Sequence, residues 1–230
     1  MAGIKQIGNT GDVIPPTIRQ PQKQDVWLNE LLEDYLSGTM KPPRKGVFHP
    51  SSLGNTCDRA LWLNYNGKMV EQPMSAVLNR IFQNGNFLED RVENWFTRLN
   101  ILAGREFVVK SDVPPISGRI DFLIRHEIYG IIPLELKSIN LNGFNKLQKP
   151  KDEHQVQLQI YLNLANYEMG TVLYENKNDQ KIKSFLVERD INQWNQIVER
   201  CIRIQNMTQI PDICTGAYWC SCKLVKETDL

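Results

Sequence analysis

Three ionisable side chains interrupt a strongly apolar stretch of the sequence between Gly118 and Lys137. Asp121 lies in the first half of this stretch, whereas Glu135 and Lys137 lie at its end. Residues two apart lie on the same side of a strand, and antiparallel pairing would bring Asp121 alongside them. Buried carboxylates are costly unless they are paired or bound to a cation. The three side chains therefore indicate either an acid–lysine ion pair or a divalent metal site.

The pattern around these side chains predicts a β-hairpin. Apolar residues alternate over 120–124, Tyr129 and Gly130 mark a turn, and a second apolar run covers 131–136. Further patterns predict helices over 25–35, 73 to about 102, 152–167 and 190–207, and strands over 106–111, 170–174 and 181–188. This order of strands and helices predicts an α/β domain around a mixed sheet with helices on its faces.

The motifs in and after the hairpin resemble those of a known nuclease superfamily. Residues 118–121, GRID, followed by 135–137, ELK, are similar to the acid, acid and lysine core of the PD-(D/E)XK nucleases. Residues 154–161, HQVQLQIY, resemble the Gln-x-x-x-Tyr motif of the RecB-like branch, which includes CRISPR-adaptation and phage exonucleases. The resemblance spans about 51–222 and implies a restriction-endonuclease-like core.

Glu89 is the third acid to which the resemblance points. It shares the apolar face of the long helix predicted over 73–102, so its carboxylate needs a partner. One interpretation is an ion pair with Arg91 or Arg105 at the edge of the core. The other follows from the resemblance, because Gly85 and Glu89 match a family glycine that precedes a metal-binding histidine or acid by four residues.

Four residues are predicted to bind nucleic acid. His154, Gln157 and Tyr161 fall at i, i+3 and i+7 of the helix predicted over 152–167, which places them on one stripe. Such a stripe can face phosphates, or its members can satisfy one another beneath a loop. The resemblance adds Arg59, which stands two residues after the cysteine that matches the family's first cluster ligand.

The five cysteines do not indicate a disulfide framework in a chain that we expect to be intracellular. Cys201 lies in a helical pattern and is predicted to be a buried free thiol. Cys57, in a helix entry predicted to be capped by a serine, joins Cys214, Cys220 and Cys222 as four thiolates. Four thiolates can hold a [4Fe–4S] cluster or a tetrahedral zinc ion.

The resemblance favours the iron–sulfur cluster, which would join the N-terminal and C-terminal segments of the chain. The family separates its last three cysteines by two and then five residues, whereas this chain separates them by five and then one. That departure leaves the type of metal centre and its ligand set open, with zinc as the alternative.

Composition limits the classes of partner. The chain has 230 residues, with 27 lysines and arginines against 26 acids, so its net charge of +1 argues against a surface that binds polyanions everywhere. Basic residues nevertheless cluster in two places: Lys41, Arg44, Lys45, Arg59 and Lys68, then Lys137, Lys146, Lys149 and Lys151. The sequence has no apolar run of membrane-spanning length and no signal peptide, so we expect a soluble cytoplasmic protein, in a bacterial or phage-infected cell, without membrane contacts.

The expected organisation is a flexible arm over 1–24 and one nuclease domain over 25–230. Within the domain, the catalytic core is expected at about 73–190, and the segments that bind the cluster at about 51–66 and 211–223. Each of these boundaries follows a change in composition or the position of a motif.

The function that the sequence favours is a metal-dependent DNA nuclease, with exonuclease action on single strands or duplex ends preferred. Asp121, Glu135, the Leu136 carbonyl and Glu89 would hold one or two Mg²⁺ or Mn²⁺ ions, which prefer oxygen ligands. Lys137 would orient the attacking water. DNA is the expected partner, and a recombination or repair protein is a candidate second one. The alternative is a non-catalytic nucleic-acid-binding module with a structural metal centre.

Overall fold

The computed structural model describes residues 26–39, 44–69, 73–216 and 220–223; the predicted arm over 1–24 lies outside these ranges. The helices are α1 (Val26–Leu36), α2 (Pro50–Leu53), α3 (Asp58–Tyr65), α4 (Ala76–Arg98), α5 (Leu141–Lys146), α6 (Asp152–Leu164) and α7 (Ile191–Gln205). The strands are β1 (Gly38–Thr39), β2 (Pro73–Met74), β3 (Leu102–Asp112), β4 (Pro115–His126), β5 (Gly130–Ile139), β6 (Met169–Asn176) and β7 (Ile182–Glu188).

A mixed five-stranded sheet forms the centre of the fold, in the order β3-β4-β5-β6-β7. All neighbouring strands are antiparallel except β5 and β6, which α5 and α6 connect and which run parallel. One face of the sheet packs on α6, through residues such as Leu158 and Leu162. The other face packs on α4, through Leu88, Val92 and Phe96. The predicted α/β fold with helices on both faces of a mixed sheet is confirmed.

The long helix α4 begins later than the sequence pattern predicts. The Ser75 hydroxyl accepts a hydrogen bond from the Leu78 N–H at 3.2 Å and caps the helix, which starts at Ala76. Pro73 and Met74, predicted to be helical, instead form β2, which pairs with the short strand β1. Within the described ranges, no helix has the length and apolarity needed to cross a lipid bilayer.

Candidate active site and metal centre

The hairpin of β4 and β5 opens at Asp121. The two strands pair from His126 and Gly130 up to Phe122 and Leu134, and the ladder stops there. The alternation of β4 also breaks at this point, because Ile120 and Leu123 pack on the same side of the sheet. Beyond this point β4 continues to pair with β3, and β5 continues to pair with β6. The strands therefore diverge where the predicted acids lie.

Asp121 provides a hydrogen-bond partner for a backbone N–H group that this divergence leaves unpaired. Its Oδ2 accepts a hydrogen bond from the Leu136 N–H at 2.8 Å. Burial raises the pKa of Asp121, against the lowering effects of this hydrogen bond and of the Lys137 charge. The bond fixes the Asp121 carboxylate beside the strand that carries Glu135 and Lys137.

Glu135 is the most buried acid of the group, with an exposed fraction of 0%. Lys137 Nζ lies 2.5 Å from Glu135 Oε1, yet neither carboxylate oxygen has a partner with hydrogen-bond geometry. The contact is an ion pair without hydrogen-bond geometry. Burial, followed by the negative charge of Asp121, raises the pKa of Glu135 to about 8, although Lys137 acts in the opposite direction. Two buried oxygens without hydrogen bonds fit the prediction that a cation binds here.

Lys137 provides the positive charge at the centre of the group. Burial alone would lower the pKa of its ammonium, but the negative charges of Glu135 and Asp121 outweigh burial and raise it. Lys137 is therefore protonated at neutral pH and can donate to water or to an anion.

Glu89 reaches the same group from α4, on the neighbouring layer of the fold. Its side chain is 34% exposed, and its Oε2 lies 3.7 Å from Arg105 Nη2. Burial and then the negative charge of Asp121 raise the pKa of Glu89, despite Arg105. Arg105 makes closer ion pairs with Asp90 and Glu93, so Glu89 is its weakest partner. The predicted ion pair with Arg105 is therefore present but long, and the metal-binding role of Glu89 stays a prediction.

Arg91, the other candidate partner of Glu89, instead anchors α4 to the sheet. Its Nη2 donates to both oxygens of Glu175 on β6, at 2.6 and 2.5 Å. Glu175 is buried, so this contact fixes the part of α4 that carries Glu89.

The predicted stripe on α6 lies next to the acids. Gln157 Nε2 donates to the Tyr161 hydroxyl at 3.0 Å, and both side chains are buried. His154 Nδ1 lies 2.8 Å from the Tyr174 hydroxyl. Burial, followed by the charges of Lys137 and Lys151, lowers the pKa of His154 to about 4, so its ring is neutral at pH 7.

Two cavities flank α2 and meet at Ser51 and Gln157. The acidic cavity, about 640 Å³, is lined by Glu89, Asp121, Gln157 and Tyr161 among others. The lysine cavity, about 1100 Å³, is lined by Lys137, Lys146, Lys149, Lys151, His154 and Gln157 among others. Sequence reasoning did not predict this division, because it depends on where α2 packs.

Arg59 does not join the predicted nucleic-acid-binding residues. Its guanidinium is buried, and it donates from Nε to the Cys222 carbonyl at 3.1 Å and from Nη1 to the Pro211 carbonyl at 2.7 Å. Arg59 therefore holds the C-terminal segment in place, and it is not available to contact DNA phosphates. Its predicted role in binding nucleic acid is corrected to a structural one.

Four cysteines converge at one point. The Sγ atoms of Cys57, Cys214, Cys220 and Cys222 all lie within 4.8 Å of one another. Cys57 is itself the N-cap of α3, where its Sγ accepts from the Ala60 N–H, so the predicted serine cap is wrong. Helix α2 ends before the cysteine, at Leu53. The fifth cysteine, at position 201, is buried in a separate core cluster, as predicted.

An ion-pair clamp that the sequence analysis missed supports the cysteine group. Asp58, directly after Cys57, forms ion pairs with Arg200 at 2.8 Å and with Arg203 at 2.7 Å, both on α7. Burial alone would raise the pKa of Asp58, but the hydrogen bonds and charges of the two arginines outweigh it and lower the pKa. No local pattern could have paired residues more than a hundred positions apart.

The sulfur positions can be compared with the two predicted metal centres. A tetrahedral zinc ion with bonds of about 2.3 Å places its sulfurs about 3.8 Å apart. In a [4Fe–4S] cluster each thiolate binds a different iron, which spreads the sulfurs to about 6 Å. Here the Sγ atoms of Cys214 and Cys222 are 3.4 Å apart, and all four lie within 4.8 Å. These positions fit a single ion better than the cluster.

No known protein family and no curated protein matches the chain in sequence. Solved structures do match it in fold. The protein SSO0001 is 19% identical, with a TM-score of 0.55, and the match covers 88% of this chain and 95% of that one. An alkaline exonuclease, LHK-Exo from Laribacter hongkongensis, is 15% identical with a TM-score of 0.52, over 70% of this chain and 86% of that one.

The chain is thus similar in fold to an alkaline exonuclease. The structure of LHK-Exo in complex with dAMP gives the same TM-score of 0.52 at 16% identity. At such low identity the likeness concerns the fold alone. The nuclease superfamily that the hairpin motifs resemble stays a prediction, and so does its iron–sulfur branch.

Proposed function

We propose that the protein is a metal-dependent DNA nuclease that acts as an exonuclease on single strands or duplex ends. The observation that carries this proposal is the buried carboxylate of Glu135, whose oxygens lack hydrogen bonds, beside Asp121 where two strands diverge. The exonuclease fold supports it, and the name of LHK-Exo and its complex with dAMP support DNA as the substrate.

The metal ligands we propose are Asp121, Glu135, the Leu136 carbonyl and Glu89. All four offer oxygen, which suits Mg²⁺ or Mn²⁺. When bound, such an ion lowers the pKa of a water and polarises the scissile phosphate. The chain's own part is to hold three carboxyl groups together, with Glu89 and Asp121 lining the acidic cavity and Glu135 buried beside them.

Lys137 acts as a charged hydrogen-bond donor in the proposed reaction. Its ammonium is protonated, because neighbouring acids raise its pKa, and it lines the lysine cavity. From there it donates hydrogen bonds to the attacking water and offsets the negative charge that develops on the phosphate.

Gln157 and Tyr161 position the strand. The Gln157 amide donates to the Tyr161 oxygen, which leaves the Tyr161 proton to donate to a phosphate oxygen. When the Tyr174 hydroxyl donates to His154 Nδ1, the imidazole proton lies on Nε2. In this tautomer His154 is a neutral hydrogen-bond donor for the strand. Contacts of this kind fix the backbone of the strand and read little sequence.

We also propose a structural role for the cysteine centre. The four thiolates tie the C-terminal segment to α3, and the contacts of Arg59 and Asp58 support them. Family resemblance favours [4Fe–4S], whereas the sulfur spacing favours one zinc ion, and we expect zinc because the spacing belongs to this chain.

The test is a cleavage assay on end-labelled single-stranded and duplex DNA with Mn²⁺, with Mg²⁺ and with chelator. The wild-type protein is expected to cleave only with a divalent ion, and Asp121→Ala is expected to be inactive. Asp112→Ala, an exposed acid at the end of β3, is the matched control and should retain activity. Cleavage by Asp121→Ala at the wild-type rate would reject the proposal.

A further inference from the structure

The lysine cavity carries more positive charge than the acidic cavity. Its lining includes four lysines, at 137, 146, 149 and 151, against the carboxylates Asp152 and Glu153. The acidic cavity balances its basic residues with acids, and Arg119 there is paired with Glu106 at 2.9 Å. Before a metal ion binds, a polyanion is therefore attracted to the lysine cavity.

Most of the lysines in this cavity are available to a phosphate. Lys149 pairs with Asp152 at 2.8 Å, but the two side chains are 72% and 86% exposed. Lys151 lies 3.7 Å from Glu153, also near the surface. Exposed ion pairs contribute little, so a phosphate can replace these carboxylates as the lysines' partner. Lys146 has no ion pair within the described part of the chain.

Helix α2 separates the two cavities without leaving a gap beneath it. A Cβ on Gly54 would lie 2.7 Å from the Cα of Glu153, and one on Gly118 would lie 2.6 Å from Pro50 Cγ. The helix is thus packed directly against α6 and β4. The cavities share Ser51 of α2 and Gln157 of α6, so a strand that occupies both must pass these two side chains.

We propose that the lysine cavity binds the body of a single DNA strand and that only the scissile phosphate and what lies beyond it reach the acidic cavity. This inference rests on the proposed nuclease function. The lysine cavity, about 1100 Å³, exceeds the range of about 300–1,000 Å³ that is typical of pockets for drug-sized ligands. It is therefore large enough for more than one nucleotide.

The two cavities should differ in whether DNA binding needs a divalent ion. Binding in the lysine cavity needs no divalent ion, because lysines supply the charge, whereas the acids of the other cavity repel phosphate until a metal ion neutralises them. A strand should therefore bind in chelator with an affinity that depends steeply on salt.

The experiment measures binding of a fluorescent 20-nucleotide single strand to the Asp121→Ala protein in chelator, over a series of KCl concentrations. Each lost phosphate contact lowers the slope of log K against log[KCl] by about 0.7 for a single strand. Adding Lys146→Ala and Lys149→Ala should therefore reduce the slope by about 1.4 and weaken binding at least about fivefold at moderate salt.

Lys181→Ala is the matched control, because Lys181 is also an exposed lysine in an exposed pair, with Asp179, and lines neither cavity. It should leave affinity and slope unchanged. A charge reversal, Lys146→Glu, provides a second variant should the double substitution fold poorly. Unchanged affinity and slope in folded lysine variants would overturn the proposal.

The cleavage assay keeps this inference separate from the proposed function. With Mn²⁺ and otherwise native residues, the double lysine variant should show a raised KM and a nearly unchanged kcat. Cleavage with an unchanged KM rejects the lysine cavity alone. Lysine-dependent binding by a wild-type protein that never cleaves rejects the nuclease proposal alone.

Discussion

The two candidate metal sites are built in different ways. The carboxylate site comes from one hairpin, with Asp121, Glu135 and Lys137 fixed by the sheet, and with Glu89 added from α4. The cysteine site joins Cys57 to a C-terminal segment more than 150 residues away, and side-chain contacts hold that segment. In our proposal, a metal ion in the first site serves chemistry, whereas one in the second stabilises local structure.

The largest expected effect is on catalysis at the carboxylate site. Glu135→Gln should lower the cleavage rate by at least about 1000-fold, or about 4 kcal/mol, because it removes a charged ligand from the buried centre. The melting temperature should change little. Single-turnover rates and thermal unfolding of the same preparation check both parts. A large loss of stability with a proportionate loss of rate would make Glu135 a structural residue.

At the cysteine site, the expected losses are of bound metal and of thermal stability. Cys222→Ser should lose the metal and lower the melting temperature by about 10 °C, since a loss of about 3 kcal/mol has this effect in a chain of this length. Cys201→Ser, the control in a separate core cluster, should keep the metal. Metal content and calorimetry distinguish them. Normal metal content in Cys222→Ser would remove this residue from the ligand set.

Replacing the side chains that position the strand should have an intermediate effect. Gln157→Ala and Tyr161→Phe should each lower kcat/KM by about 10–100-fold without touching a metal ligand. Tyr161→Phe removes the hydrogen bond to the phosphate, and Gln157→Ala removes the hydrogen bond that orients the Tyr161 hydroxyl. Calorimetric titration with Mn²⁺ should give wild-type affinity. Weaker Mn²⁺ binding with normal DNA binding would instead assign both side chains to support of the metal ligands.

The smallest expected effect concerns stability without metal. Asp121→Asn keeps an oxygen that can accept the Leu136 N–H, and it removes a negative charge beside Glu135. The metal-free variant should therefore melt a few degrees higher than wild type, a gain of about 1 kcal/mol. Excess Mn²⁺ should stabilise the wild type and not the variant. A lower melting temperature would show that the charge of Asp121 stabilises the fold.

The hairpin and its acids could be predicted because their signals are local. A period of two places Glu135 and Lys137 on one side of a strand, and the turn at Gly130 brings Asp121 close. The capping residue Asp190 likewise precedes its helix directly, and its side chain accepts from the N–H groups of Asn192 and Gln193.

The parts that the sequence did not reveal depend on distant contacts. The carbonyls that bind Arg59 belong to Pro211 and Cys222, so a local motif could only suggest a phosphate as its partner. The ion pairs of Asp58 with Arg200 and Arg203 on α7 likewise join residues that are distant in the sequence. The sequence pattern predicts a helix start where β2 lies, because the partner strand β1 is distant and only two residues long.

The most direct test of two sites for two kinds of metal is anomalous diffraction from crystals of the zinc-loaded protein soaked in Mn²⁺. Maps collected at the two absorption edges should show manganese among Asp121, Glu135 and the Leu136 carbonyl, and a single zinc atom among the four cysteine sulfurs. A site without manganese at the acids would contradict the proposed active site. Four iron atoms at the cysteines of anaerobically prepared protein would contradict the zinc assignment and restore the iron–sulfur cluster.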